Sequence, residues 1–277
     1  MIVLSLFDGM SCGRLALERA GVPVTEYYAS EVDEHAIKVS KANWPDVVHL
    51  GDVTKWRTWD IPKPDLILAG SPCQGFSSAN SNKEHGDGFD HAKSKLYYVF
   101  LEIMREYDSR WFLLENVSMK SEHIDVITRD VKQKPVLLNS NLVSAQNRSR
   151  LYWTNIPNQS RPADRGLYIK DVYEPGTGKP LSAVTAERPR AIKNRRLLTD
   201  KAQCILASSH KGAQANGATV IKDGDHYRLL TPRECEKLQT VPADYTNHVS
   251  KTQRLRMLGN GWTVEMISHI LAPLSVL

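Results

Sequence analysis

An open, doubly wound α/β sheet is the fold class that this chain of 277 residues predicts, and three observations lead there. Short, nearly continuous apolar runs alternate with amphipathic ones through the first half, as in sheets whose strands are buried on both faces. Turns bearing glycine or an acid follow those runs, where parallel strands end and open sheets place their sites. Past Trp153 the periodicity fades into a stretch punctuated by Pro and Gly, so a small loop-rich region is expected beside the sheet.

Taken in order, strands are expected at Ile2 to Phe7, Tyr27 to Val32, Asp65 to Ala69, Trp111 to Leu114, Pro135 to Leu138 and Leu151 to Trp153, with a further apolar run before Leu50. Helices are expected between them at Gly13 to Ala20, stopped by Gly21, at Glu34 to Asn43, stopped near Pro45, and at Lys95 to Tyr107. From Ile156 to Arg228 the chain reads as a small irregular insertion, punctuated by Pro and Gly between Pro157 and Gly217. Helical signals return at Thr231-Pro232-Arg233-Glu234, a capping box with Pro at the first helical position, read as a supporting feature. A last amphipathic run, Thr263 to Leu274, is expected to pack back on the first-half sheet. The sheet domain would then be 1–155 with 229–277, and the loop-rich region 156–228.

Composition excludes several classes. Hydrophobic residues at 41% and charged residues at 24% describe an ordinary globular chain, and no apolar run approaches the roughly 20 residues that span a bilayer. The start, Met1 to Asp8, meets an acid after a short apolar run and reads as a strand rather than a secretory leader. Cys12, Cys73, Cys204 and Cys235 are scattered without a Cys-x-x-Cys pair, which fits a reducing cytosol or nucleoplasm and predicts no bound metal. The net charge of +5 is uneven: Ile156 to Arg228 carries 13 Lys and Arg against 7 Asp and Glu. That bias is either a solvated face or a surface for an acidic partner.

The motifs that carry chemistry sit at the expected strand ends. Phe7-Asp8-Gly9-Met10-Ser11-Cys12-Gly13 is a glycine-bearing turn into a helix, the place for a nucleotide-like cofactor, although its spacing is not that of a dinucleotide site. Glu31 ends the second strand, where a carboxylate can accept both ribose hydroxyls of an adenosine. Asp52, after the third run, can accept from an adenine amino group. The alternatives are that Glu31 and Asp33 are strand-end charges and that Asp52 caps a turn. Ala69-Gly70-Ser71-Pro72-Cys73-Gln74-Gly75-Phe76-Ser77 offers a thiol on a stiffened loop, suited to nucleophilic attack. Glu115 leaves an apolar strand, where desolvation suits it to hold or donate a proton. Gln146, Arg148 and Arg150 would share one face of a strand, so two guanidinium groups could meet an oxygen of the substrate.

The ordered set FDGMSCG, ASEV, GDV, GSPCQGFS, ENV, QNRSR, RLLTPRE and LGNGW resembles the DNA cytosine-5 methyltransferase family, over 200 of the 277 positions. SLFDG, SEV and SAQNRSRLYW look most like its animal de novo branch, whereas Pro72-Cys73-Gln74 and Gly259-Asn260-Gly261 are closer to the bacterial pattern. The resemblance implies the Rossmann-like fold of S-adenosylmethionine-dependent methyltransferases. It implies that S-adenosylmethionine lies against Phe7, Gly9, Gly13, Glu31, Asp52, Val53, Pro72 and Leu96, with Asn260 returning from the C-terminal block. Cys73 is then the nucleophile, Glu115 the acid on the base, and Arg150 with Arg148 the charge support.

On that resemblance, the expected reaction is methyl transfer to C5 of cytosine in double-stranded DNA, through base flipping and a covalent adduct of Cys73 with C6. Ile156 to Arg228 becomes the target-recognition region, with Arg188, Arg190, Lys193, Arg195 and Arg196 its densest basic cluster. Ser78 to Lys93 would close over the flipped base. The compact chain suggests a bacterial or phage enzyme acting in the cytoplasm, in the nucleus if eukaryotic, with a possible companion restriction endonuclease. The competing readings are a tRNA cytosine-5 methyltransferase, a catalytically silent nucleic-acid-binding paralogue, and a dinucleotide oxidoreductase, the last disfavoured by the glycine spacing.

Overall fold

The computed structural model describes residues 1–71, 95–157 and 160–276. Among these, the main sheet is built from β1 (Ile2–Leu6), β2 (Glu26–Ser30), β3 (Val47–His49), β4 (Leu66–Gly70), β5 (Trp111–Val117), β6 (Val136–Asn139) and β7 (Ser149–Thr154). Their order is β3-β2-β1-β4-β5-β7-β6. β7 runs antiparallel to both of its neighbours, and the other pairings described are parallel. The fold is therefore the mostly parallel, doubly wound sheet expected. The order reverses between β1 and β4, which opens a crevice at their carboxyl ends.

Burial explains why the strands read as continuous apolar runs. Val3, Leu66 and Leu68 face one hydrophobic layer, while Leu4, Leu6, Ile67 and Ala69 face the other. Helices α1 (Cys12–Arg19) and α2 (Glu34–Asn43) follow β1 and β2, and α3 (Leu96–Tyr107) lies between β4 and β5. Asp33 caps α2 by accepting from the amides of His35 and Ala36, so it is a capping residue. A further helix, α4 (Ser121–Val131), crosses from β5 to β6. It is not among the helices expected, although Ile124, Ile127 and Val131 fall on one helical face and join the second hydrophobic layer.

The segment read as an irregular insertion holds more structure than expected. It contains the short helices α5 (Ile169–Val172), α6 (Ala183–Ala186) and α7 (Pro189–Lys193) and a sheet of order β10-β9-β8, from β8 (Arg195–Arg196), β9 (Val220–Asp223) and β10 (His226–Leu229). Asp223 pairs with His226, leaving a two-residue turn whose first member, Gly224, has φ +59°. That conformation matches the twist of a tight hairpin and favours glycine.

Three helices complete the chain: α8 (Pro232–Leu238), α9 (Lys251–Asn260) and α10 (Val264–Leu271). The Thr231–Glu234 capping box is present as expected. Glu234 does more than cap, because both its oxygens accept from Arg228, which is fully buried and also meets Asp223 at 2.6 Å. Arg228 therefore stands inside the molecule and adds nothing to the basic surface in which it was counted. Helix α10 lies against α1, returning the C-terminal block to the main sheet. No helix among the described residues is long and apolar enough to cross a membrane.

Candidate active site

The loop after β1 is held in an uncommon conformation. Phe7, Gly9 and Ser11 all have positive φ, at 58°, 62° and 60°, which for an aromatic residue signals strain stored at a working site. Asp8 fixes the loop from below, accepting from the Ser11 hydroxyl at 2.6 Å and the Tyr27 hydroxyl at 2.7 Å. Burial pushes the Asp8 carboxyl up to about 6, against the pull of those donors and with a further push from Glu31.

Glu31 emerges at the end of β2 facing this loop. Its Oε2 accepts from the Gly9 amide at 2.8 Å, and its Oε1 from the amides of Val32 and Asp33 at 2.7 and 2.9 Å. These bonds aim the carboxylate and leave acceptor capacity on each oxygen. Beside it Val32 is 66% exposed, an apolar plate not foreseen from the sequence. The Ser30 hydroxyl donates to the Gly51 carbonyl at 2.8 Å, which draws the β3 turn alongside. There Asp52 caps the 3₁₀ turn Val53–Thr58 through Oδ1, bound to the amide and hydroxyl of Thr54. Those two bonds hold its carboxyl below the ordinary value. Phe7, Val53 and Leu96 contribute to one hydrophobic layer under this crevice.

Gly13, implied by the resemblance as a cofactor residue, has a different reason to be glycine. A side-chain carbon there would stand 2.7 Å from the Tyr27 hydroxyl and 2.8 Å from Leu68. Its open side is thus spent on packing α1 against the sheet. Asn260 is the last residue of α9 and is exposed. The next residue, Gly261, packs against Met10 and Cys12 of the loop.

A second constellation lies beyond β4. Glu115 on β5 is 8% exposed, as its place in an apolar strand predicts. Its Oε1 takes Nε of Arg150 at 2.9 Å and its Oε2 takes the indole N–H of Trp262 at 3.1 Å. Trp262 is a contact that sequence reasoning missed. The neighbouring Asn116 donates to the Ser71 hydroxyl at 3.0 Å, which anchors the chain where the cysteine loop departs. Pro72, Cys73 and the segment Ser78 to Lys93 lie outside the described residues.

Arg148 does not join the pair as charge support. It is buried and donates to the carbonyls of Ile205, Gly259 and Gly261 at 2.9, 3.2 and 2.7 Å. The two arginines meet at Cys204, whose sulfur accepts from Arg148 at 3.4 Å and Arg150 at 3.8 Å. Gln146 donates to the Leu238 carbonyl and the Gln239 side chain. The three were expected on one strand face, but β7 begins only at Ser149, so Gln146 and Arg148 precede it, and of the two arginines only Arg150 turns its charge to a carboxylate. Among the basic cluster, Arg188, Arg190 and Lys193 are exposed around α7. Arg195 instead pairs with Glu187 at 2.6 Å and stacks over Tyr227.

Comparison with known proteins matches residues 1–175 and 182–275 to the family described as C-5 cytosine-specific DNA methylase. The chain is 27% identical to the Type II methyltransferase M1.ScrFI of Lactococcus lactis subsp. cremoris, over 97% of this chain and 76% of that protein. It is 29% identical to the Type II methyltransferase M.BsuFI of Bacillus subtilis, over 96% and 70% respectively. Among solved structures, S. pombe Dnmt2 methyltransferase superposes with a TM-score of 0.76 at 17% identity, covering 99% of this chain and 98% of that one. At that identity the likeness speaks for the fold.

Proposed function

This chain belongs to the C-5 cytosine-specific DNA methylase family, and from that premise we propose the following division of labour among its residues. The enzyme transfers a methyl group from S-adenosylmethionine to C5 of cytosine in DNA. When bound, that cofactor supplies the methyl group on an electrophilic, positively charged sulfonium.

The crevice between β1, β2 and β3 fits such a group. Exposed Val32 beside the aimed Glu31 carboxylate suits a purine and its ribose hydroxyls, and the Oδ2 of Asp52 suits an exocyclic amino group. The charges of Glu31 and Asp8 suit a cation. Phe7, Gly9, Val53 and Leu96 contribute the rest of the wall, and Asn260 is assigned to the cofactor with them; Pro72, also assigned to it, lies outside the described residues.

Cytosine C5 is too electron-poor to attack a methyl group unaided, and Cys73 solves this by adding its thiolate to C6 of a base flipped from the duplex. As the S–C6 bond forms, electron density moves to N3 and O2. Glu115 gives a proton to N3, and Arg150 stabilises the charge at O2. The activated C5 then takes the methyl group and loses its proton to a base, N3 returns its proton to Glu115, and the S–C6 bond breaks to free the Cys73 thiolate. Arg148 acts as a positioning residue through the carbonyls it ties. The single observation that carries the assignment is the Glu115–Arg150 pair at 2.9 Å, aimed at the carboxyl end of the sheet.

Residues 156–228 serve as the target-recognition region, with 1–155 and 229–277 as the catalytic and cofactor-binding domain. Arg188, Arg190 and Lys193 face the DNA backbone. Relatives named as Type II methyltransferases support a companion restriction endonuclease, and a bacterial or phage-infected cytoplasm is the compartment that fits. A direct test uses DNA in which cytosine is replaced by 5-fluorocytosine. Fluorine at C5 cannot leave as a proton does, so the adduct should persist as a protein–DNA band resistant to denaturant in the presence of cofactor. Cys73→Ser should abolish the band; a band that survives this substitution refutes the assigned nucleophile.

A further inference from the structure

The assignments above leave the indole of Trp262 without a task. Its N–H meets Oε2 of Glu115 at 3.1 Å, opposite the oxygen held by Arg150. The ring is closely fitted on two sides. A side-chain carbon at Gly70, the last residue of β4, would stand 3.0 Å from Nε1 and 3.3 Å from two further ring atoms. One at Gly13, in the first turn of α1, would stand 3.5 Å from Cζ3. The loop that carries the ring also carries Asn260, and Arg148 ties that loop at the Gly259 and Gly261 carbonyls.

We propose that Trp262 is a positioning residue for methyl transfer, whose N–H fixes the plane of the Glu115 carboxyl group from the same loop that closes the cofactor crevice. A carboxylate held by Arg150 through one oxygen can still turn about its last bond. A second donor on the other oxygen removes that freedom, so the proton reaches N3 of the base along one direction. The glycine at 70 lets the ring come close enough to make this contact. This inference rests on the role given to Glu115, which Glu115→Gln tests separately.

The experiment compares Trp262→Phe with the wild-type full chain by single-turnover methyl transfer and by calorimetric titration with S-adenosylmethionine. Phe keeps the ring but loses the N–H. The other groups facing Glu115, namely Arg150 and Tyr152 from β7 and Cys204 behind Arg150, are unchanged. Expected is a rate lower by about tenfold with cofactor affinity within about threefold of wild type.

Should Trp262→Phe fail to fold by circular dichroism, Gly70→Ala asks the same question by pressing the indole away from Glu115, with a smaller loss of rate and cofactor affinity again near wild type expected. An unchanged rate in the folded variant overturns the proposal. So does a loss of cofactor affinity as large as the loss of rate. An active Glu115→Gln would instead overturn the role of Glu115 itself.

Discussion

Arg150 holds its Nε 2.9 Å from Oε1 of Glu115, and each side chain keeps only 11% of its exposure. The pair spans β5 and its antiparallel neighbour β7, where Val117 lies opposite Arg150. Antiparallel entry of β7 is what brings its first residues to the carboxyl end of the sheet, beside the parallel strand ends.

Breaking this pair from one side leaves a buried charge alone. Arg150→Met should destabilise the fold by about 3 kcal/mol, whereas Arg150→Met with Glu115→Gln should recover some of that loss. Denaturant unfolding of the two variants checks this, and a double variant less stable than the single one contradicts it. Methyl transfer should be lost in both.

Asp8 makes stability depend on pH. Its carboxyl in the folded chain stands at about 6, above the ordinary 3.8, so folding favours the protonated form. That stabilisation is complete below the ordinary value and is lost as pH rises through about 6. Asp8→Asn has no charge to bury, so its melting temperature relative to wild type should be higher at about pH 8 than at about pH 5, by roughly 5 °C. Thermal melts at the two pH values decide it.

Glu31 separates cofactor binding from chemistry. Glu31→Gln keeps an acceptor for the Gly9 amide but loses the charge, and should weaken S-adenosylmethionine by about tenfold. The methyl-transfer rate at saturating cofactor should stay near wild type. Calorimetry and single-turnover rates measure the two, and an equal fall in both contradicts the assignment.

Gly259 packs residues 156–228 against the rest of the chain. A side-chain carbon there would stand 2.2 Å from the carbonyl carbon of Leu206 and 2.3 Å from the Ala207 amide nitrogen. Gly259→Ala must push the facing backbone segments apart, at a cost of about 1–3 kcal/mol or more. DNA affinity should fall with it, because the displaced segment lies within the 156–228 region proposed to recognise the target. Unfolding and DNA titration measure both effects, and a variant of wild-type stability would show the contact to be slack.

How far the sequence disclosed this molecule depends on the kind of signal. Strands such as Val3 to Leu6 were legible because both faces are buried, which writes a continuous apolar run. Glu31 and Asp52 were conspicuous as acids just past a strand, and Glu115 as an acid against an apolar strand expected to stop at Leu114, although β5 runs on to Val117 and holds Glu115 within it. Asp52 proved to be a turn cap as well, the alternative weighed for it. The roles of Arg148 and Trp262 depend on partners more than 100 positions away, and no local pattern announces such partners. Gly13 showed its glycine in a turn but not the Tyr27 hydroxyl pressed against it. In residues 156–228, strands of two and four residues are too short for alternation to register. The Asp223-Gly224-Asp225-His226 turn was a local sign there that went unread.

The central claim is methyl transfer to cytosine C5 in DNA, with Cys73 as nucleophile. Labelled methyl from S-adenosylmethionine should be incorporated into unmethylated genomic DNA, and bisulfite sequencing should place it on cytosine C5 within one short recurring context. Cys73→Ser should bind the cofactor with near wild-type affinity and transfer no label. Label confined to tRNA, or full transfer by Cys73→Ser, would contradict the account.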